Sequence, residues 1–210
     1  MSGQTRELIE GAAALGVVLD ARQAAQLLEL LEELVLWNAR YNLTAITAPG
    51  QMIRAHLLDS LAALPDLHGR LIADVGTGAG FPGLPLALAS PQRRFTLIDA
   101  TAKKIRFVAH AARLLRVSNV AALQARVETL KPDPPFDTVV ARAFAALPEL
   151  LAGVAGLCGP DTRVVALKGR YPDAELTGLP AGWRLLSARA VRIPGLDAER
   201  HILTLSMGPD

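Results

Sequence analysis

Cysteine is nearly missing from this chain: Cys158 is the only one in 210 residues, so no intramolecular disulfide can form and a reducing compartment is expected. The four histidines, His56, His68, His110 and His201, show no metal-ligand spacing, so no metal is expected. Aromatic residues make up 4%, which leaves few partners for stacking on a base or a sugar. No apolar run approaches the roughly 18 residues of a membrane span, and the polar, acidic first ten residues do not read as a secretory leader. Repeats and low-complexity tracts are absent too. These gaps leave a cytoplasmic protein without membrane attachment, expected to be monomeric. Its 51% hydrophobic and 20% charged residues are ample for a packed core.

Charge is also scarce in balance, at net +2, but it is unevenly placed. Residues 1–68 carry four Arg and no Lys against eight acids, whereas residues 69–210 carry eighteen basic against twelve acidic groups. The first part suits a solvated helical cover, the second a surface facing an anionic polymer.

What the chain does have is glycine in one telling place. Asp74-Val75-Gly76-Thr77-Gly78-Ala79-Gly80-Phe81-Pro82-Gly83 follows the apolar run Leu71-Ile72-Ala73. A strand running into a glycine-rich turn and then a helix lets backbone amides approach a cofactor closely. A dinucleotide fingerprint, G-x-G-x-x-G/A, needs a small third residue. Here that place is taken by Phe81, and Asp74 puts an acid where a pyrophosphate would be repelled. An acidic tip with alternating Gly76 and Gly78 suits a cofactor with a cationic amino-acid end, pointing to S-adenosylmethionine. A plain βα turn would also accommodate the glycines. Asp99 ends the next apolar strand, 23 residues after Gly76. That is where an acid accepts hydrogen bonds from ribose hydroxyls, although Asp is also a good cap for a following helix.

Hydrophobic periodicity organises the rest. Asp20 caps a helix to about residue 38 with Leu27, Leu28, Leu31, Leu34 and Val35 on one face, and a second helix over 51–64 ends at Pro65. Residues 1–66 read as a helical extension packed on a core of 67–210. From residue 70, strands at 71–75, 94–99, 120–125, 137–142 and 163–168 alternate with helices at 83–89, 102–116 and 147–157, and only a short turn lies near 126–130. The fold class is therefore α/β: a Rossmann-like, mostly parallel sheet. Two further strands, 183–193 and 201–207, are expected to close it as an antiparallel hairpin through Pro194-Gly195. That hairpin makes seven strands and is typical of class I methyltransferases.

Some methyltransferase chemistries can be set aside. Asp133-Pro134-Pro135-Phe136 imitates a motif that captures exocyclic amines, but it precedes the fourth strand and so lies at the wrong end of the sheet. Cys158, following Leu157 at a helix end, is not the Pro-Cys nucleophile of pyrimidine C5 methylation. An acceptor that already holds a free lone pair, such as N7 of guanine, needs neither base nor nucleophile, only positioning and electrostatics.

Taken in order, Trp37-Asn38, Asn42-Leu43-Thr44, His56-Leu57-Leu58-Asp59-Ser60-Leu61, the long glycine segment from Asp74, Ile98-Asp99, Lys103-Lys104, Glu128, Arg142-Ala143, Leu167-Lys168-Gly169 and Glu199-Arg200-His201 resemble the bacterial small-subunit ribosomal RNA methyltransferase G family, also called glucose-inhibited division protein B. The resemblance implies methyl transfer from S-adenosylmethionine to N7 of a guanosine in the decoding-region loop of 16S rRNA, free or in the small ribosomal subunit. It also implies a cofactor site at Gly76, Phe81, Asp99, Ala100, Thr101, Val127, Glu128 and Arg142. Two departures stand out: Arg126-Val127-Glu128-Thr129 replaces the usual Arg-Ala-Glu-Glu, and residues 207–210 lack the basic tail common in the family.

Arg142, at the fourth strand tip, is left three partners: the cofactor carboxylate, an RNA phosphate or guanine O6. Lys168, Arg170, Arg200 and His201 are candidate phosphate contacts, or else ordinary sheet-edge charges. His56 is a candidate substrate contact, or a structural residue bonded to the 42–47 connector. Phe81 and Phe144 are candidate stacking partners for the target base. A methyltransferase of small molecules and a dinucleotide-binding Rossmann protein are the competing functions.

Overall fold

The computed structural model describes residues 2–208; Met1 at the acidic start, and Pro209 and Asp210 of the tail without basic groups, lie outside the described residues. Seven strands form one sheet in the order β3-β2-β1-β4-β5-β7-β6. They are β1 (Leu71–Val75), β2 (Arg94–Asp99), β3 (Val120–Gln124), β4 (Phe136–Arg142), β5 (Cys158–Lys168), β6 (Trp183–Ala190) and β7 (His201–Met207). The first five run parallel, and β7 is antiparallel to both β5 and β6. Such a seven-stranded, mostly parallel sheet ending in antiparallel strands is the Rossmann-like fold expected.

Alternate residues of the central strands serve two cores, as the period of two dictates. Ile72, Leu97, Val140 and Val165 pack on one face, and Ala73, Val75, Ile98, Val139 and Val164 on the other. The second face is covered by α7 (Leu147–Val154). The first is covered by α5 (Gly83–Ala89), α6 (Ala102–Leu114) and the N-terminal helices, whose apolar residues belong to the same continuous cluster.

Those N-terminal helices show where sequence periodicity falls short. The first, α1 (Gly3–Ala14), lies in the polar stretch; Ser2 caps it and only Leu8, Gly11 and Ala12 are buried. Gly11 is required there, because a Cβ would sit 2.6 Å from a methyl of Leu58. Next, α2 (Ala21–Tyr41) starts with the expected cap, Asp20 and Gln23 forming a reciprocal capping box. Its inward face is Leu27, Leu30, Leu31 and Leu34, while Val35 is 47% exposed: the stripe stays on its 3-4 spacing and Val35 falls off its edge. Gln23 and Gln26 donate to the carbonyls of Leu88 and Leu115, and Lys103 Nζ donates to that of Tyr41, stitching α2 to the sheet layer.

The expected helix over 51–64 is present as one continuous helical run over residues 49–61, whose middle takes π-helical hydrogen bonding: α3 (Pro49–Met52), a π-helical turn (Ile53–Leu58) and α4 (Asp59–Leu61). Pro65 does not end a helix but sits inside a short 3-10 turn, Leu64–Asp66. Two smaller differences follow from pairing. Cys158 begins β5, opposite Phe136, rather than ending a helix. The last hairpin pairs only as far as Ala190 with His201, so a ten-residue loop, 191–200, joins its strands in place of a tight turn at Pro194-Gly195. Among the described residues no helix is long and apolar enough to cross a membrane.

Candidate active site

Strand order reverses between β1 and β4, and in open α/β sheets ligands bind at that switch point, beyond the carboxyl ends of the strands. A cleft of about 340 Å³ opens there. Its walls come from the tip of β1 (Gly76), the tip of β2 (Ile98, Asp99, Ala100), Lys104 on α6, the loop after β3 (Ala125, Arg126, Val127, Glu128), and Ala143 and Phe144 just past β4.

The glycine loop is held by its own backbone: Thr77 N–H donates to Ile98 O, and the amides of Gly80 and Phe81 donate to Thr77 O. Gly76 has φ +65°, and a Cβ there would run into the Phe144 ring, which therefore lies directly over the loop. Phe144 is brought there by Ala143, whose φ of +50° turns the chain back at the strand tip. A non-glycine residue in the left-handed region stores about 1 kcal/mol or more of strain.

Asp99 is 7% exposed and already well used. Its Oδ1 accepts from Thr101 N–H at 2.8 Å, and its Oδ2 accepts from Gly78 N–H at 3.1 Å and Lys104 Nζ at 3.2 Å. Gly78 and Thr101 thus fix the carboxylate without lining the cleft themselves, and Thr101 rather than Asp99 is the N-cap of α6. Asp74 is fully buried and also stands back from the cleft. Its Oδ2 accepts from Thr77 Oγ1 at 2.5 Å and Gly83 N–H at 2.8 Å, and Oδ1 has no partner. Burial pushes its carboxyl up to about 7, against the pull of those two bonds and of Arg142.

A second constellation sits beside the cleft. Asp59, 5% exposed, accepts from Arg142 Nη1 at 2.9 Å on one oxygen and from Arg200 Nε at 2.7 Å on the other. Arg142 also donates to Ala55 O, and Arg200 to Glu199 O. The helical cover therefore reaches the tips of β4 and β7 through one carboxylate. Arg142 does not line the cleft; a carboxylate of the protein occupies it.

Phe81 is placed differently from the stacking role expected of it, whereas His56 takes the structural one of its two expected roles. Phe81 is 5% exposed and stacks on His56 at 4.8 Å between ring centroids, with the Arg142 guanidinium 5.7 Å from its ring. It belongs to the core, with neither ring face free for a base. His56 is buried as well, within 3.0 Å of Thr44 Oγ1, which joins it to the 42–47 connector as the structural alternative had it. Burial and Arg142 hold its imidazole down to about 4, against the opposing pull of Asp59, so it is neutral. Lys168 is likewise engaged: its Nζ donates to Glu175 at 2.7 Å and to Ala145 O at 3.0 Å, tying β5 to α8 (Asp173–Leu176), which removes it from the free phosphate contacts. Arg170 is exposed, and His201 Nδ1 lies 2.9 Å from Gly169 O at the same end of the sheet.

Lys104, Arg126 and Ala143 in the cleft, and Asp59 beside it, were not legible as site residues. Lys104 carries the one usable signal, a lysine five places past the ribose-type acid, hence in the first turn of the following helix. Cys158 begins β5 at the far end of the sheet, and burial raises its thiol to about 12, so it is no nucleophile for this site. Phe136 begins β4, leaving Asp133-Pro134-Pro135 at that far end too.

This sheet order and a cleft at the β1–β4 switch point define a class I, Rossmann-like methyltransferase fold. Solved structures agree. A SAM-dependent methyltransferase from Aquifex aeolicus superposes with a TM-score of 0.55 at 18% identity, covering 75% of this chain and 93% of that one. A magnesium protoporphyrin IX methyltransferase from Synechocystis, with bound SAM, gives 0.53 at 15%, covering 88% and 81%. The chain belongs to the rRNA small subunit methyltransferase G family, whose profile matches residues 23–203. Ribosomal RNA small subunit methyltransferase G of Methylococcus capsulatus is 48% identical over 198 residues, 94% of this chain and 96% of that protein. Its counterpart in Ectopseudomonas mendocina is 43% identical over 201 residues, 95% and 94%.

Proposed function

We propose that this protein methylates 16S rRNA, moving the methyl group of S-adenosylmethionine to N7 of a guanosine in the decoding-region loop. The observation that carries the reading is the cleft itself, with the Asp99 carboxylate in one wall, buried Val127 in another and Phe144 at its margin, on a chain of this family.

The residues present fit the donor. Asp99, aligned by Gly78, Thr101 and Lys104, is set to accept from ribose hydroxyls, and Val127 with Ala100 offers apolar surface to an adenine. Glu128 stands at the cleft wall, and Gly76 lets the backbone come close because no Cβ intervenes. Asp74 supports the loop from beneath. The bound sulfonium supplies an activated methyl group. An acceptor with a free lone pair, such as N7, would take that methyl without a base or nucleophile from the chain. No proton is transferred, so orientation and dry electrostatics suffice.

N7 of a paired guanine faces the deep, narrow major groove of A-form RNA, beyond reach of side chains, so the base must be unpaired or flipped. Phe144 is 37% exposed beside the cleft and supplies the stacking face. Arg170 and His201 contact the backbone, and Arg142 and Arg200, anchored on Asp59, keep positive potential at the rim. A bidentate grip on O6 and N7 is ruled out during transfer, because N7 must stay open. We take the protein to act as a monomer.

The test is to incubate the protein with labelled donor and ribosomal RNA from cells lacking it, then map the modified base. A single labelled N7-methylguanosine in 16S rRNA, suppressed by salt through counterion release, is the expected result. Label in another base, or salt-insensitive methylation of a small molecule, would overturn it.

A further inference from the structure

Few aromatic side chains are exposed, and those two sit at neighbouring strand tips. Phe144 follows β4 and covers Gly76; Tyr171 follows β5, the next strand in the sheet, and is 39% exposed. Tyr171 and His201 form a T-shaped pair, with ring centroids 5.6 Å apart and planes at 74°. His201 is itself fixed, since Nδ1 contacts Gly169 O and its backbone pairs opposite Lys168. Beside it, Arg200 is held through Asp59 to Arg142, two residues before Phe144. The strand-tip edge thus carries two exposed aromatic rings, and the guanidinium pair fixed by Asp59 is anchored at the same end of the sheet.

We propose that Tyr171 is a second stacking platform, receiving an unpaired base next to the target nucleotide while Arg200 and Arg170 face the intervening phosphates. This rests on the reading that the substrate is an RNA loop. A base has a flat apolar face and a charged linker to its neighbour, and an edge that carries both exposed rings and fixed guanidinium groups matches those groups. The contact with His201 limits the rotation of the tyrosine, so less side-chain freedom remains to be lost on stacking, and the ring stays 39% exposed. Tyr171 does not line the cleft, which separates its role from donor binding.

The experiment compares Tyr171→Ala and Tyr171→Phe in the full-length protein, using small-subunit rRNA from cells lacking the enzyme. Loss of one stacked base is worth a factor of about 5 to 100 in affinity. Tyr171→Ala is expected to raise KM for RNA by such a factor, with a smaller change in kcat. Affinity for S-adenosylhomocysteine and melting temperature should not move. Tyr171→Phe should restore the wild-type KM, because stacking uses the ring and not the hydroxyl. An unchanged KM in Tyr171→Ala refutes the platform, as does a Phe variant as poor as the Ala variant. If instead the unsubstituted protein transfers no methyl to this RNA, the functional reading fails, and this inference with it.

Discussion

Replacing Asp59 by alanine is the sharpest test of how the helical cover is joined to the sheet. The substitution removes two charge-assisted hydrogen bonds, at 2.9 Å from Arg142 and 2.7 Å from Arg200, and leaves two guanidinium groups facing a space with no counter-charge. Deleting one partner of a buried ion pair costs roughly 3–5 kcal/mol, chiefly because the survivor stays desolvated. Here the arginine side chains keep 18% and 26% of their exposure, so water can partly rescue them and the lower end applies, about 3 kcal/mol. At about 2–4 °C per kcal/mol for a chain of this size, melting should fall by roughly 6–12 °C. Urea unfolding of Asp59→Ala, Arg200→Ala and the double variant closes a cycle, with an expected coupling above about 1 kcal/mol. A loss below about 1 kcal/mol with an unchanged m-value would show that both arginines are effectively hydrated, and that the bridge is not a strut.

Three further outcomes follow from the same geometry. His56 is held down to about 4, so the unfolded chain protonates first and stability drops as pH falls from 6.5 towards that value; Asp74 is pushed up to about 7, so the folded chain keeps a proton and stability drops as pH rises from 3.8. The slopes oppose each other at about pH 4–6.5, each at most about 1.4 kcal/mol per pH unit: relative to wild type, His56→Gln should become less stable as pH rises and Asp74→Asn should become more stable, and denaturation curves sharing one sign would refute the pair. Gly76→Ala, strained at φ +65° and blocked by Phe144, should abolish S-adenosylhomocysteine binding by calorimetry at a cost of roughly 1–3 kcal/mol in stability, and Phe144→Ala should restore part of the binding. Lys168→Ala should act through Glu175: its effect on stability should be non-additive with Glu175→Ala, and the salt slope of RNA binding should stay unchanged, a slope reduced by about one being the contrary result.

Much of the sheet was legible because each strand is a short apolar run bounded by a turn residue: 71–75 and 94–99 match β1 and β2 residue for residue. The cleft was legible at Gly76 and Asp99, since the glycine and the acid report backbone and hydrogen-bond needs that are local in the chain, and at Val127 and Glu128 through the family resemblance. Burial was not. Phe81 and His56 carry chemistry suited to a site, yet each completes the other's packing, and only tertiary contact reveals that. Nor was the link from Asp59 to Arg142 and Arg200 readable, because its partners lie 83 and 141 positions away. The π-turn at 53–58 escaped for a related reason: it differs from an α-helix by one hydrogen-bond register, which no residue pattern marks, in a segment packed against α1 and α2. In α1 the signal was simply too weak, three small or medium apolar contacts in a polar stretch.

The placement of β7 has a consequence for biosynthesis. Although it follows β6 along the chain, it lies inside the sheet, between β5 and β6. A nascent polypeptide extruded only through β6 would present β5 as an open flank of unpaired amides and carbonyls, with nothing to hold the newest segment beside it. Such flanks invite association between unfinished copies. Insertion of one late ribbon then zips both neighbours at once and brings Arg200 to Asp59, so closure of the barrier against self-association and completion of the arginine pair are the same event.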